Sequence, residues 1–175
     1  QIAISYNKSF QLPVKIVRPF NTYGPRQSLR AIIPQIILQL LNSRKFIYFG
    51  NIKPTRDLTY VDDTCNGFIE ILNKKKFLGK VTNIGSKNET SVEKLIHKIS
   101  RIMGITKKIK IERNRIRPKD SEVERLVCDN SFLLKNSNWK PQYTLNDGLV
   151  ETIKWVKEEY RKKFKNDKYI LWKFL

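Results

Sequence analysis

The chain has 175 residues, 40% of them apolar, with 35 Lys and Arg against 16 Asp and Glu for a formal net charge of +19. That length suits one domain with a real core, and no apolar run approaches the roughly 20 residues that cross a bilayer. Cys65, Cys128 and the single His97 show no metal-ligand spacing, which argues against a zinc site. Both thiols are expected to be buried and reduced, as in a cytoplasmic protein. The charge would suit nucleic acid, a membrane surface or a diphosphate-bearing substrate. Most lysines, such as Lys74 to Lys76, Lys107, Lys108, Lys162 and Lys163, fall at expected helix ends and turns, where solvated charge is ordinary. No basic helix interleaved with aromatics supports a nucleic-acid reading.

In chain order, Ile2, Ala3, Tyr6 and Phe10 mark one face of a helix over residues 1–11. Val14 to Val17, β-branched and closed by Pro19, reads as a buried parallel strand. Asn21 to Ser28 forms a loop at its carboxyl end, and Ile32 to Leu41 a helix with Pro34 in its first turn. Lys45 to Phe49 is a short strand stopped by Gly50, and Arg56 to Tyr60 a further extended piece. Asp62 or Asp63 caps a helix to Asn73. Val81 to Ile84 is a strand, and Thr90 or Ser91 caps a helix that Gly104 ends. Ile109 to Ile111 is a strand, Arg113 to Glu122 a polar loop, and Glu124 to Cys128 a short strand containing the second thiol. Asp129 or Asn130 caps a short helix to Asn136. Leu145 to Phe164 is a final amphipathic helix, followed by a tail over residues 166–175. Trp139 and Trp155 sit in apolar contexts that read as core, and His97 has no partner by spacing. The alternation of strand and helix is an α/β pattern.

Ligands in open α/β sheets bind at the carboxyl edge of the strands. Asn21 lies just past such an edge with both a donor and an acceptor. Arg26 and Arg30 follow before a helix, a combination that favours phosphate; the alternative is a loop whose Asn and Gly only satisfy turn geometry. Arg56 and Arg117 are candidate phosphate grips, and Glu122 a candidate acceptor for ribose hydroxyls. Arg117 and Glu122 could instead form a surface ion pair of little consequence. Asp57 reads as a local structural partner.

Arg18-Pro-Phe-Asn-Thr-Tyr-Gly-Pro25, Ala31-Ile-Ile-Pro34, Arg56-Asp-Leu-Thr-Tyr-Val-Asp-Asp63, Asn83-Ile-Gly85 and Arg117-Pro118 stand in order. With Gly148-Leu149 and Glu151-Thr152, they resemble successive landmarks of the NAD-dependent epimerases and dehydratases, within the extended short-chain dehydrogenase/reductase family. Tyr-Gly-Pro-Arg-Gln, Pro-Thr-Arg-Asp and Glu122-Val-Glu-Arg125 look closest to nucleotide-sugar 4,6-dehydratases, such as those acting on UDP-N-acetylglucosamine.

The resemblance implies the C-terminal part of a Rossmann-type fold. Residues 1–165 would be its substrate-binding portion, with the last parallel strands and a small α+β region. It implies NAD as cofactor, a nucleotide-diphosphate sugar as substrate, and a homodimer in the full-length parent. Pro19, Phe20 and Asn21 match positions at the nicotinamide, and Asn21, Arg56 and Arg117 those that hold the diphosphate. Ile33, Pro34, Tyr48 and Asn51 fall where base and ribose are held, and Glu122 at a ribose hydroxyl. The glycine-rich fingerprint and the activated Tyr with its Lys four residues on are expected ahead of Gln1. The chain alone is therefore expected to be inactive. A non-catalytic nucleotide-binding remnant is the competing class, with a charge-driven nucleic-acid binder behind it.

Overall fold

The computed structural model describes residues 1–43, 45–116 and 118–164. Helix α1 (Ile2–Phe10) ends on Gln11 in the left-handed region and buries none of its residues. Ile2, Tyr6 and Phe10 on its apolar face are all exposed. Strand β1 (Ile16–Pro19) starts two residues later than the β-branched run begins. It is half-buried at Ile16 and Val17 and exposed at Arg18 and Pro19, so the expected strand is present but not buried. Among the described residues its ladder has one partner strand. The loop after it contains β2 (Thr22–Tyr23).

Helix α2 (Ile32–Asn42) has Pro34 in its first turn, where a missing N–H costs nothing, and is largely buried. Strand β3 (Phe46–Phe49) alternates half-buried and buried residues. The extended piece expected over Arg56 to Tyr60 divides at Leu58 into β4 (Thr55–Asp57) and β5 (Thr59–Tyr60), which belong to different ladders. Helix α3 (Val61–Asn73) follows without a side-chain cap. Strand β6 (Val81–Ile84) runs parallel to β1 in the register Ile16 to Val81. Strand β7 (Glu89–Ser91) leads into α4 (Val92–Met103), whose Ser91 hydroxyl accepts from the Lys94 N–H at 3.1 Å. Gly104 closes that helix at φ 67°, a conformation glycine reaches without a Cβ penalty.

Strand β8 (Lys108–Ile111) pairs in parallel with β3, and β5 with β2. Strand β4 pairs antiparallel with β7 and parallel with β9 (Arg125–Leu126); β9 ends before Cys128, which lies in the loop beyond. Helix α5 (Ser131–Asn136) starts after Asn130 without a side-chain cap, and its first N–H, that of Ser131, donates to the Asp129 carboxylate at 3.0 Å. Helix α6 (Leu145–Phe164) has the bounds read from the sequence.

The main core joins α2, α4 and α6 through Ile33, Ile36, Ile37, Leu40, Leu95, Ile96, Ile99, Leu149 and Val156, with Ile47 and Phe49 of β3 beneath them. A second cluster holds Ile71, Phe77, Ile84, Leu133 and Trp139. Trp155 packs half-buried against the main core, and His97 is exposed. Gly148 matters because α6 lies on two tyrosines: a Cβ there would sit 2.2 Å from the Tyr23 hydroxyl. That hydroxyl donates to the Leu145 carbonyl, tying β2 to the first turn of α6.

Asp63 does not cap α3. Buried, it accepts from the N–H groups of Gln142 at 2.8 Å and Tyr143 at 3.1 Å, so it pins the turn before α6. Asp62 accepts from the Tyr143 hydroxyl. Cys65 is exposed on α3, against the expectation of a buried thiol, because the helix turns that residue away from both cores. Cys128 is buried, and burial pushes its thiol up to about 12, with Asp57 and Asp129 adding to the effect.

Candidate functional site

A cavity of about 870 Å³ opens where β1, β3 and β4 deliver their carboxyl ends beside α2. Asn21, Arg30, Ile33, Tyr48, Asn51, Arg56 and Glu122 all line it. Each arrives for a local reason. Strand β1 carries the chain into Asn21, where the amide Nδ2 donates to the Asp57 carbonyl at 3.3 Å and the backbone carbonyl accepts from Thr59 N–H at 3.1 Å. Helix α2 begins after Arg30 and turns Ile33 inward. Strand β3 sets Ile47 and Phe49 in the core, so period-2 alternation leaves Tyr48 on the other face. Beyond it, Gly50 allows a close approach: a Cβ there would lie 2.2 Å from the Arg115 carbonyl oxygen. Arg115 thereby reaches the cavity rim.

Arg56 sits in the middle of β4. Its guanidinium donates to the Thr55 carbonyl at 2.8 Å, the Val123 carbonyl at 2.6 Å and the Glu122 carboxylate at 3.1 Å. The Arg56–Glu122 pair is half-buried, at 22% and 14% side-chain exposure, so it is less screened than a surface pair. Glu122 thus pairs with Arg56. Arg117 lies outside the described residues.

Asp57 is fully buried and accepts four hydrogen bonds: from Ser86 N–H at 3.0 Å, Ser86 Oγ at 2.7 Å, Lys87 N–H at 2.8 Å and Cys128 N–H at 3.0 Å. A buried carboxylate is tolerable when donors surround it. This one locks β4 to the loops after β6 and β9, and so fixes the strand from which Arg56 projects.

Among the described residues the cavity wall carries Arg30, Arg56 and Arg115, of which Arg56 is paired with Glu122 and Arg115 with Glu112, an excess of one guanidinium. That balance favours an anion, and guanidinium groups match the paired oxygens of a phosphate. Tyr48, Ile33 and Leu58 add flat and apolar surface. Outside the lining, burial pushes Tyr23 and Tyr60 up, and the charge of Asp62 does the same to Tyr143. Among the described residues, no group of three or more His, Cys, Asp and Glu could hold a metal, and no helix is long and apolar enough to cross a membrane.

Some expected residues stand apart. Arg26 is exposed in the left-handed region at φ 67° and does not line the cavity; the turn at Gly24-Pro25 directs it outward. Pro34 is buried in the first turn of α2 and does not line the cavity either. Pro19 is exposed and Phe20 half-buried at the end of β1, outside the cavity lining. Phe20 N–H donates to the Ile84 carbonyl at 2.8 Å. Gln27, Gln35, Gln39 and Arg115 line the cavity without having been singled out from the sequence. Gln35 and Gln39 stand one turn apart in the otherwise apolar run of α2 from Ile32 to Leu41, and that i, i+4 pair of amides is the signal that could have marked them. A Tyr-x-x-x-Lys spacing does occur within the chain, at Tyr169 and Lys173, where none was expected; both lie outside the described residues.

The family described as GDP-mannose 4,6 dehydratase matches residues 1–152. The human dTDP-D-glucose 4,6-dehydratase is 30% identical over 161 residues, covering 89% of this chain and 45% of that protein. The UDP-N-acetyl-alpha-D-glucosaminuronate decarboxylase of Bacillus cytotoxicus is 32% identical over 152 residues, covering 84% and 47%. A crystal structure of UDP-glucuronic acid 4-epimerase from Bacillus cereus, in complex with UDP-glucuronic acid and NAD, superposes with a TM-score of 0.81 at 30% identity, over 91% of this chain and 50% of that one. The dTDP-glucose 4,6-dehydratase of Bacillus anthracis in complex with NAD gives the same values. The chain spans about half the length of the curated relatives it matches.

Proposed function

Since the chain belongs to the GDP-mannose 4,6 dehydratase family of NAD-dependent epimerases and dehydratases, we propose that its cavity holds a nucleotide-diphosphate sugar. The observation that carries this reading is the convergence of Asn21, Arg30 and Arg56 on one cavity with an arginine excess. Arg56 takes the diphosphate, exchanging part of its bond with Glu122 for phosphate oxygens. Asn21 adds a neutral contact at the strand end. Tyr48, Ile33 and Asn51 hold base and ribose, and Glu122, once partly released, accepts from a ribose hydroxyl. Residues 1–165 act as the substrate-binding portion of the enzyme.

The finer reading is a 4,6-dehydratase, supported by the Pro-Thr-Arg-Asp and Glu-Val-Glu-Arg segments. Such an enzyme oxidises the sugar at C4, eliminates water across C5 and C6, and returns the hydride to C6. An epimerase or decarboxylase is the alternative, since relatives so named match at similar identity. NAD would supply the hydride acceptor. Pro19 has no N–H, and that of Phe20 is already donated to Ile84. This strand end therefore fits a cofactor ring by packing and leaves polar recognition to Asn21. A homodimeric, cytoplasmic parent accords with the same reading.

Titration calorimetry with a UDP-sugar tests the site. The chain should bind, and Arg56→Ala should weaken binding by about tenfold or more, the scale of a charge-assisted phosphate contact. Equal affinity in the variant removes Arg56 from the site, and an absence of heat with the parent chain removes the reading. Supplied with NAD and UDP-N-acetylglucosamine, the 175-residue chain alone should release no keto-sugar.

A further inference from the structure

Gln39 is 3% exposed on α2, yet it lines the cavity. Its amide is committed to the backbone of one residue. Nε2 donates to the Tyr48 carbonyl at 3.0 Å, and Oε1 accepts from the Tyr48 N–H at 2.7 Å. The pairing fixes the amide's orientation, because the flipped form would set donor against donor and acceptor against acceptor.

Strand β3 pairs with β8 along one edge, and the Phe49 carbonyl accepts from Glu112 on that side. In a parallel ladder, alternate residues bond to opposite sides. The N–H and C=O of Tyr48 therefore face the other edge, where Gln39 takes the place of a neighbouring strand for a single residue. A half-buried backbone pair left without partners would cost the desolvation of both groups, so this contact sets where β3 sits against α2. A one-residue slip of β3 would exchange Tyr48 for Ile47 or Phe49, which the core needs. The same α2 carries Ile33 and starts after Arg30, and the same strand leads to Gly50 and Asn51. Gln39 thus fixes the spacing between two sides of one cavity.

We propose that Gln39 is a positioning residue for the nucleoside end of the ligand. It holds Tyr48 and Asn51 at the distance from α2 that suits a base and ribose, and leaves the diphosphate grip of Arg56 untouched. The proposal rests on the reading of the cavity as a nucleotide-diphosphate site.

The test compares two probes, UDP and inorganic pyrophosphate, on the parent chain and on Gln39→Met, which keeps the length of the side chain and removes both hydrogen bonds. UDP affinity should fall by about tenfold, as for a pair of lost hydrogen bonds, while pyrophosphate affinity stays within about twofold. A parallel loss of both probes marks a general structural defect and overturns the proposal; an undiminished affinity for UDP also overturns it. A parent chain that binds pyrophosphate but not UDP overturns the nucleoside role alone. One that binds neither overturns the diphosphate site itself. Should Gln39→Met not fold, Gln39→Glu, which keeps the acceptor for Tyr48 N–H and loses the donor, is read by the same comparison.

Discussion

The cavity wall built on β4 and the wall built on α2 are held by different forces. Strand β4 is three residues long and is pinned by a buried charge, the four-acceptor carboxylate of Asp57. Helix α2 is pinned by apolar packing, with Ile33, Ile36, Ile37 and Leu40 all at 1% exposure or less. The charged pin is directional and brittle, since each donor has one acceptor position to meet. The apolar pin is spread over many contacts and degrades gradually. Arg56 projects from the brittle wall, while Tyr48 lies against the forgiving one.

The sharpest way to break this contrast is Asp57→Ala. It leaves several buried donors unpaired at once, and should lower unfolding free energy by about 4 kcal/mol or more, measured by urea denaturation. Loss of less than about 1 kcal/mol would mean that water or a shifted loop replaces the carboxylate. On the other wall, Ile37→Ala should cost about 3 kcal/mol, as for a fully buried isoleucine. The folded fraction of that variant should still bind a UDP-sugar with parental affinity, because packing spreads the defect. A matching loss of affinity would show that the apolar wall is as exacting as the polar one. The smallest effect tests the helix behind both: Ser91→Ala removes the cap of α4 and should cost about 1 kcal/mol, seen as a small drop in Tm.

The sequence was most legible where one local signal decides the outcome. Val81 to Ile84 and Leu145 to Phe164 were bounded correctly because β-branching and helical period are local properties. Ser91 and Gly104 acted as start and stop for the same reason. The two-residue strand β2 left no trace, and β5 was legible only as the end of one longer extended piece, since two residues carry no period and their pairing is set by partners 37 positions apart. Asp63 looked like a cap because it opens a helix; its actual partners, Gln142 and Tyr143, lie about 80 residues away. Of the site, Asn21, Arg30, Ile33, Tyr48, Asn51, Arg56 and Glu122 were named in advance and share one cavity. Arg26 and Pro34 lie outside that lining, because proximity in sequence says nothing of which way a turn or a first helical turn points a side chain. Gln39 escaped because its partner is a backbone, which has no signature in a sequence.

The contrast between the exposed Cys65 and the enclosed Cys128 gives the molecule a built-in gauge. A maleimide dye should tag the first sulfur within minutes and meet the second only when the Asp57 hub opens. Counting one label or two per chain would then report how often the wall that carries Arg56 comes undone, without any added probe residue.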